Sequence, residues 1–241
     1  MPCPVCFSPE RMPAAQHKGL SLFVCAACRS VYMDPMPAPE TLHALYDDPY
    51  ENATTGYYAK AEKKLRRARK RARMLDRYVA NKGTFLEIGS SGGFMTEAMR
   101  ERGYTATGVE PDAPGVTYAK KHYPGSTFLN GFFQQVESQL GRFDAIYCSE
   151  VIEHVPEPEP FVAAIARHLK PGGVVNITTP DVTHWNKPRD ITLWNEFNPP
   201  SHCLYYSPAG LSQILARHGI TVFRQRFNWK AGIQVYARKT R

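Results

Sequence analysis

From residue 84 onward, short apolar runs alternate with longer stretches in which apolar residues recur every three or four positions. The runs "TFLEI" (84–88), "YTATGVE" (104–110), "STFL" (126–129), "FDAIYCS" (143–149) and "VVNITT" (174–179) read as strands. Between them, "FMTEAMRERG", "PDAPGVTYAKKHYPG" and "EPFVAAIARHLKPGG" read as amphipathic helices, the first closed by Gly103. This alternation predicts an α/β fold, with a parallel sheet and helices on both faces. "SPAGLSQILARHG" restarts a helix with Ser207 as N-cap, Pro208 in the first turn and Gly219 as stop. "ITVFRQRF" and "GIQVYAR" then predict a terminal antiparallel pair. Upstream, Leu65, Ala68, Ala72 and Leu75 form one narrow apolar stripe along "KAEKKLRRARKRARMLDR". That segment carries nine Lys or Arg between Lys60 and Arg73 against one Glu. It reads as a solvated helix, or as the rim of a site for an anionic acceptor.

The first 35 residues follow neither rhythm. Cys3 and Cys6 form one C-x-x-C, Cys25 and Cys28 another, and "HKGLSLFV" between them supplies a short hairpin. Two such knuckles suit four thiolates around one structural Zn²⁺, a closed coordination sphere that leaves no catalytic position. A ribbon this short buries too little surface to fold alone, so the metal supplies the missing free energy. A redox dithiol and an iron–sulfur centre are the rival readings. Cys148 and Cys203 read as packed thiols. The boundaries that follow are a zinc ribbon over 1–35, a linker and basic helix over 36–80, and an α/β domain over 81–241.

The turn after the first α/β strand, "LEIGSSGGF", carries the first chemical signal. Gly89 permits a tight turn, and Gly92 and Gly93 allow close backbone approach to a ligand. Glu110 closes the next strand, where an acid can accept hydrogen bonds from both ribose hydroxyls of a nucleoside. The G-x-G-x-x-G spacing is missing, and Glu87 would repel a pyrophosphate. A cofactor with a positive centre and an ammonium group suits this turn better than a dinucleotide.

The stretches "FLEIGSSGGF", "GVEPD", "FDAIYCSEVIEHV" and "LKPGGVVNITTP" together resemble the class I S-adenosylmethionine (SAM)-dependent methyltransferases, in the branch that includes the ubiquinone-biosynthesis O-methyltransferases. The resemblance implies a Rossmann-like seven-stranded methyltransferase sheet. It places Glu87, Gly89, Ser90 and Gly93 around the methionine portion, Glu110 and Pro111 at the ribose, and Ser149 facing the sulfonium. Two departures stand out. Ser91 replaces a glycine common in the family and is expected to need a negative φ. "LNGFFQQ" lacks an acid for the adenine amine, so Phe132 or Phe133 is expected to cover the ring.

Glu150, Glu153 and His154 share a face if residues 150–154 form one helical turn. His202 lies in the long aromatic and proline-rich insertion after Pro180, with Trp185, Trp194, Tyr205 and Tyr206. The first reading of this group is a general base, His202 or His154, with Glu150 beside the cofactor or substrate. The resemblance supplies the alternative: a similar E-x-x-E-H with a later histidine holds a divalent cation, so Glu150, Glu153, His154 and His202 would bind Mg²⁺ or Mn²⁺.

The chain of 241 residues has room for one sizeable core and a small appendage, and its net charge of +8 draws it toward phosphates, anionic sugars or acidic lipid surfaces. With no apolar run long enough to span a membrane and no leader pattern, it reads as cytoplasmic. The function expected is O-methylation of a small molecule or glycan, with a sugar hydroxyl favoured. RNA methylation is the alternative enzyme reading, and a zinc-ribbon binding protein on a non-catalytic scaffold is the alternative of another class.

Overall fold

The computed structural model describes residues 1–38, 40–42, 58, 60–80 and 82–240; much of the expected linker, 43–57, lies outside them. Among the described residues, eleven strands are distributed over two sheets. One has four strands in the order β1 (Arg11–His17), β2 (Leu20–Cys25), β3 (Val31–Met33) and β9 (Leu204–Tyr205). The other has seven, in the order β10-β11-β8-β7-β4-β5-β6: β4 Thr84–Ile88, β5 Thr105–Glu110, β6 Thr127–Asn130, β7 Phe143–Ser149, β8 Leu169–Pro180, β10 Ile220–Gln225 and β11 Gly232–Lys239. The helices are α1 (Ala61–Asp76), α2 (Phe94–Arg100), α3 (Ala113–His122), α4 (Pro158–His168) and α5 (Pro208–Arg217). The seven-stranded α/β sheet expected from the sequence is thus present. No described helix is long and apolar enough to cross a membrane.

The chain divides into two compact units. One comprises Met1–Leu45, Ser149–Ala166 and Ile177–Ala237; the other comprises Tyr46–Cys148, Arg167–Asn176 and Arg238–Arg241. In the second unit, β4 pairs in parallel with β5 on one side and β7 on the other, and β5 pairs with β6. The chain therefore leaves β4 in one direction and returns on its other side. The carboxyl end of β4 is the switch point where ligands of such sheets are held. Apolar β4 residues Phe85, Leu86 and Ile88 are almost fully buried, as a strand covered on both faces requires. Helix α1 buries Ala68, Ala72 and Leu75, the stripe read from the sequence. Part of its basic face is already neutralised, since Arg69 donates to Glu101 at 2.6 and 2.7 Å.

In the first unit, β1 and β2 form the expected hairpin, turning through Lys18 (φ 49°) and Gly19 (φ 80°). Two left-handed residues in a row give the turn whose twist suits two antiparallel strands. The hairpin does not stand alone. Val31 and Tyr32 of β3 pair with Tyr205 and Leu204 of β9, and Met33 N–H donates to Cys203 O at 3.1 Å. Leu22, Val31 and Met33 share one apolar cluster with Val182, Ile191, Trp194 and Tyr205. Ser207 caps α5 through Gly210 N–H at 2.9 Å, as read from the sequence, and also donates to Cys28 O at 2.5 Å. The N-terminal strands thereby share a sheet and a core with the segment after β8.

Candidate active site

In the second unit, the turn from β4 into α2 is folded back over β5. Gly89 and Ser90 N–H both donate to Val109 O, at 2.9 and 3.0 Å, and Gly93 N–H donates to Ser90 O at 2.8 Å. Gly89 and Gly93 each have φ 77°, and a side chain at Gly93 would meet the Phe128 ring at 2.7 Å. Only glycine suits Gly93 on both counts. Ser91 corrects an expectation: its φ is +46°, left-handed, not negative. Its N–H donates to Glu110 Oε2 at 2.7 Å, a charge-assisted bond that offsets a backbone cost of about 1–2 kcal/mol. The serine therefore keeps the turn rather than breaking it.

Glu110 accepts a second bond from Asp112 N–H at 3.0 Å through Oε1. Burial raises its pKa, against the pull of the two backbone amides. Glu87 is more extreme. It is buried, and its Oε2 accepts both Thr96 N–H at 2.7 Å and Thr96 Oγ1–H at 2.5 Å. Burial nevertheless pushes it up to about 8. The Ser90 hydroxyl is buried and has no partner among the described residues. An unmatched hydroxyl and two buried carboxyls at a switch point suit a ligand carrying hydroxyls and positive charge. Pro111 O and Glu110 O both accept from Asn130 Nδ2, at 2.9 and 3.0 Å. Phe132 is half-buried, whereas Phe133 is buried edge-on to His168 at 5.8 Å.

Sequence reading missed Thr96 and Asn130. Their position one turn into the helix after β4, and at the last residue of β6, is the signal that could have found them.

In the first unit, residues 150–154 do not form one helical turn. Glu150 sits alone in left-handed conformation at φ 55°, and a short 3-10 turn follows over Ile152–His154. Glu150 is exposed; its N–H donates to Thr178 O at 2.9 Å and its Oε1 accepts from Thr178 Oγ1 at 3.0 Å. Thr178 Oγ1 is also 2.6 Å from Ser149 Oγ. Glu153 is fully buried: Thr179 Oγ1 donates to its Oε2 at 2.8 Å, while Oε1 is buried with no partner among the described residues. Burial, and then the nearby Glu150 charge, raise its pKa well above the carboxylate range.

His154 Nδ1 lies 2.9 Å from Ser201 O and His202 Nδ1 lies 2.7 Å from Glu196 O. A carbonyl only accepts, so each ring carries its proton on Nδ1 and leaves Nε2 with a free lone pair. Burial lowers both imidazoles, His154 to about 4, so both are neutral near pH 7. The rings meet edge-on with centroids 4.6 Å apart. One donor atom each from Glu153, His154 and His202 lies within 4.8 Å of the others. The group the structure assembles is thus a carboxyl and two imidazoles, with Glu150 outside it. Backbone carbonyls orienting both rings are the outer shell that a metal-binding histidine needs, and the orphaned Glu153 oxygen completes a donor set that fits a divalent cation. Two nitrogen donors favour Mn²⁺ over Mg²⁺, which prefers an all-oxygen shell.

The aromatic insertion divides. Trp194, Tyr205 and Tyr206 are core residues, with Trp194 only 8% exposed, whereas Trp185 is 66% exposed and stacks on His184. Most of the rings in the insertion therefore hold the fold.

The four knuckle cysteines also converge, with all Sγ atoms within 4.8 Å of one another. Cys3–Cys28 and Cys6–Cys25 are 3.7 and 3.4 Å apart. A tetrahedral zinc with bonds of about 2.3 Å needs sulfurs about 3.8 Å apart, so the set fits. Both knuckles close alike: Phe7 N–H donates to Cys3 O and Arg29 N–H to Cys25 O, and Phe7 and Arg29 both have φ 66°. Cys148 and Cys203 are fully buried.

Comparison with known proteins places these features. A ubiquinone biosynthesis O-methyltransferase from Pseudomonas paraeruginosa is 35% identical over 101 residues, 40% of this chain and 44% of that protein. The chain thus matches less than half the length of such relatives. Among solved structures, 1,6-didemethyltoxoflavin-N1-methyltransferase from Burkholderia thailandensis, with S-adenosylhomocysteine bound, superposes with a TM-score of 0.61 at 19% identity, covering 95% of this chain and 99% of that one. A TehB-like SAM-dependent methyltransferase from Corynebacterium glutamicum gives a TM-score of 0.58 at 18% identity, covering 79% and 100%. Residues 57–225 match the methyltransferase domain family, and over that span the chain belongs to it.

Proposed function

We propose that the protein is a SAM-dependent O-methyltransferase acting on a hydroxyl of a small molecule, with a sugar hydroxyl the favoured acceptor. The observation that carries the reading is the acid-lined turn at the switch point, Glu87 to Gly93 with Glu110, in a chain of the methyltransferase domain family. In this reading Glu87 faces the cofactor's ammonium, Gly89, Ser90 and Gly93 line the methionine portion, and Glu110 and Pro111 hold the ribose. Phe132 covers the base, and Ser149 faces the sulfonium. SAM, when bound, supplies a methyl group on a cationic sulfur. The chain supplies the rest: His202 Nε2, the more exposed partner of His154, takes the acceptor's proton, and Glu150 orients the hydroxyl. In the alternative reading, a cation held by Glu153, His154 and His202 would occupy His202 Nε2 and lower the pKa of that hydroxyl in place of the base. The four N-terminal cysteines hold a structural zinc, and residues 1–35 act as a ribbon joined to a methyltransferase domain over 81–241. The test is transfer of a labelled methyl group from SAM to a panel of hydroxylated small molecules, with RNA as the comparison acceptor.

The His202→Ala variant is expected to lower turnover at least about 100-fold while cofactor affinity stays within twofold. Mn²⁺ titrated alone, followed by its paramagnetic signal, separates the two roles of the ring. Weaker Mn²⁺ binding in the variant supports a ligand, and unchanged binding supports a base alone.

Glu87 gives a pH signature. With its pKa at about 8, the carboxyl is mostly protonated at pH 7, and a cationic ligand favours the ionised form. Cofactor binding at pH 7 is therefore expected to release a proton, and affinity to fall about tenfold per unit as pH drops below about 8. Titration heats in buffers of different ionisation enthalpy read this directly; heats independent of buffer would contradict it.

A further inference from the structure

Within the first unit, a cavity of about 370 Å³ opens between the hairpin β1–β2, the second cysteine knuckle and the segment after β8. Its volume is in the range of small-molecule sites. The floor is aliphatic: Val31, Val182 and Ile191 are buried members of the apolar cluster described above. Three cations line it, Arg29, Lys187 and Arg189, and no carboxylate does. None of the three is ion-paired among the described residues.

The two acids nearest in sequence are turned to other work. Asp181 Oδ1 accepts Thr183 N–H and Oγ1–H at 2.9 and 2.8 Å, and Asp190 Oδ1 accepts Thr192 N–H and Oγ1–H at 2.9 and 2.7 Å. His184, also in the lining, has both ring nitrogens engaged: its Nε2–H donates to Asn228 O at 3.0 Å, and its Nδ1 accepts Asn186 N–H at 3.1 Å. Lys187 uses one of its three protons on Pro188 O at 2.7 Å, leaving two to donate. Burial lowers its pKa, against the pull of the nearby Asp190 charge.

Three cations and an aliphatic surface, with Asp190 the carboxylate whose charge reaches Lys187, form a site with a net positive lining for an anion with an apolar body. Two guanidinium forks and an ammonium match the oxygens of a phosphoryl group. We propose that this cavity binds a phosphate-bearing small molecule, its phosphoryl oxygens held by Arg29, Lys187 and Arg189 and its apolar part lying on Val31, Val182 and Ile191. The site stands independently of the methyl-transfer reading.

The test is calorimetric titration of the full zinc-loaded chain with inorganic pyrophosphate at low salt, beside a parallel titration with S-adenosylhomocysteine. One site with Kd below about 1 mM is expected. Lys187→Ala and Arg189→Ala should each weaken it at least about tenfold, while Arg69→Ala, on a different basic surface, leaves it unchanged. S-adenosylhomocysteine affinity should be the same in all of them, which separates a failure here from a failure of the cofactor site. Absence of pyrophosphate binding, or equal weakening by Arg69→Ala, would overturn the proposal. Displacement of pyrophosphate by a short RNA whose own binding needs Lys187 and Arg189 would also overturn it, in favour of a nucleic-acid surface.

Discussion

Replacing Cys25 by serine is expected to lower zinc affinity about 1,000-fold or more and to unfold far more than a ribbon. The reason lies in what the knuckles touch. Cys25 Sγ accepts Cys28 N–H, Cys28 O accepts the Ser207 hydroxyl, and Ser30 Oγ accepts Ser207 N–H. Three residues past Cys28 begins β3, which pairs with Leu204 and Tyr205 and bonds Cys203. Cys203 N–H in turn donates to Glu153 O at 3.0 Å. The proposed zinc site is thus linked through β3 and two hydrogen bonds to Glu153, and through Cys203 to its neighbour His202. Hydrogen exchange followed by mass spectrometry should show lost protection over residues 11–33 and again over 203–211, with S-adenosylhomocysteine binding retained in the other unit. Lost protection confined to residues 1–33 would show that β9 keeps its place without the ribbon.

The second large effect is expected at Glu110. Truncation to alanine removes the acceptor for Ser91 N–H and Asp112 N–H together, in a residue only 7% exposed. A buried donor left without a partner costs roughly 1–3 kcal/mol, and Ser91 loses the bond that offsets its left-handed backbone. Any bond to the ribose is lost as well. Cofactor affinity should fall about 100-fold or more, roughly 3 kcal/mol. Glutamine keeps one acceptor oxygen, so Glu110→Gln should fall in between, at about tenfold. Equilibrium dialysis with labelled S-adenosylhomocysteine measures both, and wild-type affinity in the alanine variant would remove Glu110 from the site.

What the sequence reveals and what it hides divide along physical lines. Strands β4 to β8 and the helices between them were legible because each carries its own period, and the Lys18–Gly19 hairpin because its turn chemistry is local. The four cysteines were legible as a set because two C-x-x-C knuckles at this spacing bring their thiols together. The pairing of β3 with β9 was not, since it joins segments about 170 residues apart and leaves no local mark. Nor was the left-handed backbone of Ser91 and Glu150, which distant bonds to Glu110 and Thr178 maintain. That Trp194, Tyr205 and Tyr206 belong to the core was not legible, because ring composition does not tell a core from a surface. The path of the chain over 150–154 was not legible, since Glu150 is left-handed and a 3-10 turn follows, although the Glu150 charge still acts on Glu153 and His202.

The central claim is that Glu87, the glycine turn and Glu110 form a cofactor site for a nucleoside joined to a charged amino acid. Calorimetric titration of the intact protein with S-adenosylhomocysteine tests it most directly. A single site per chain, with Kd at or below about 10 µM, is the predicted result. No heat up to about 1 mM ligand, with the fold shown to be intact, would contradict it.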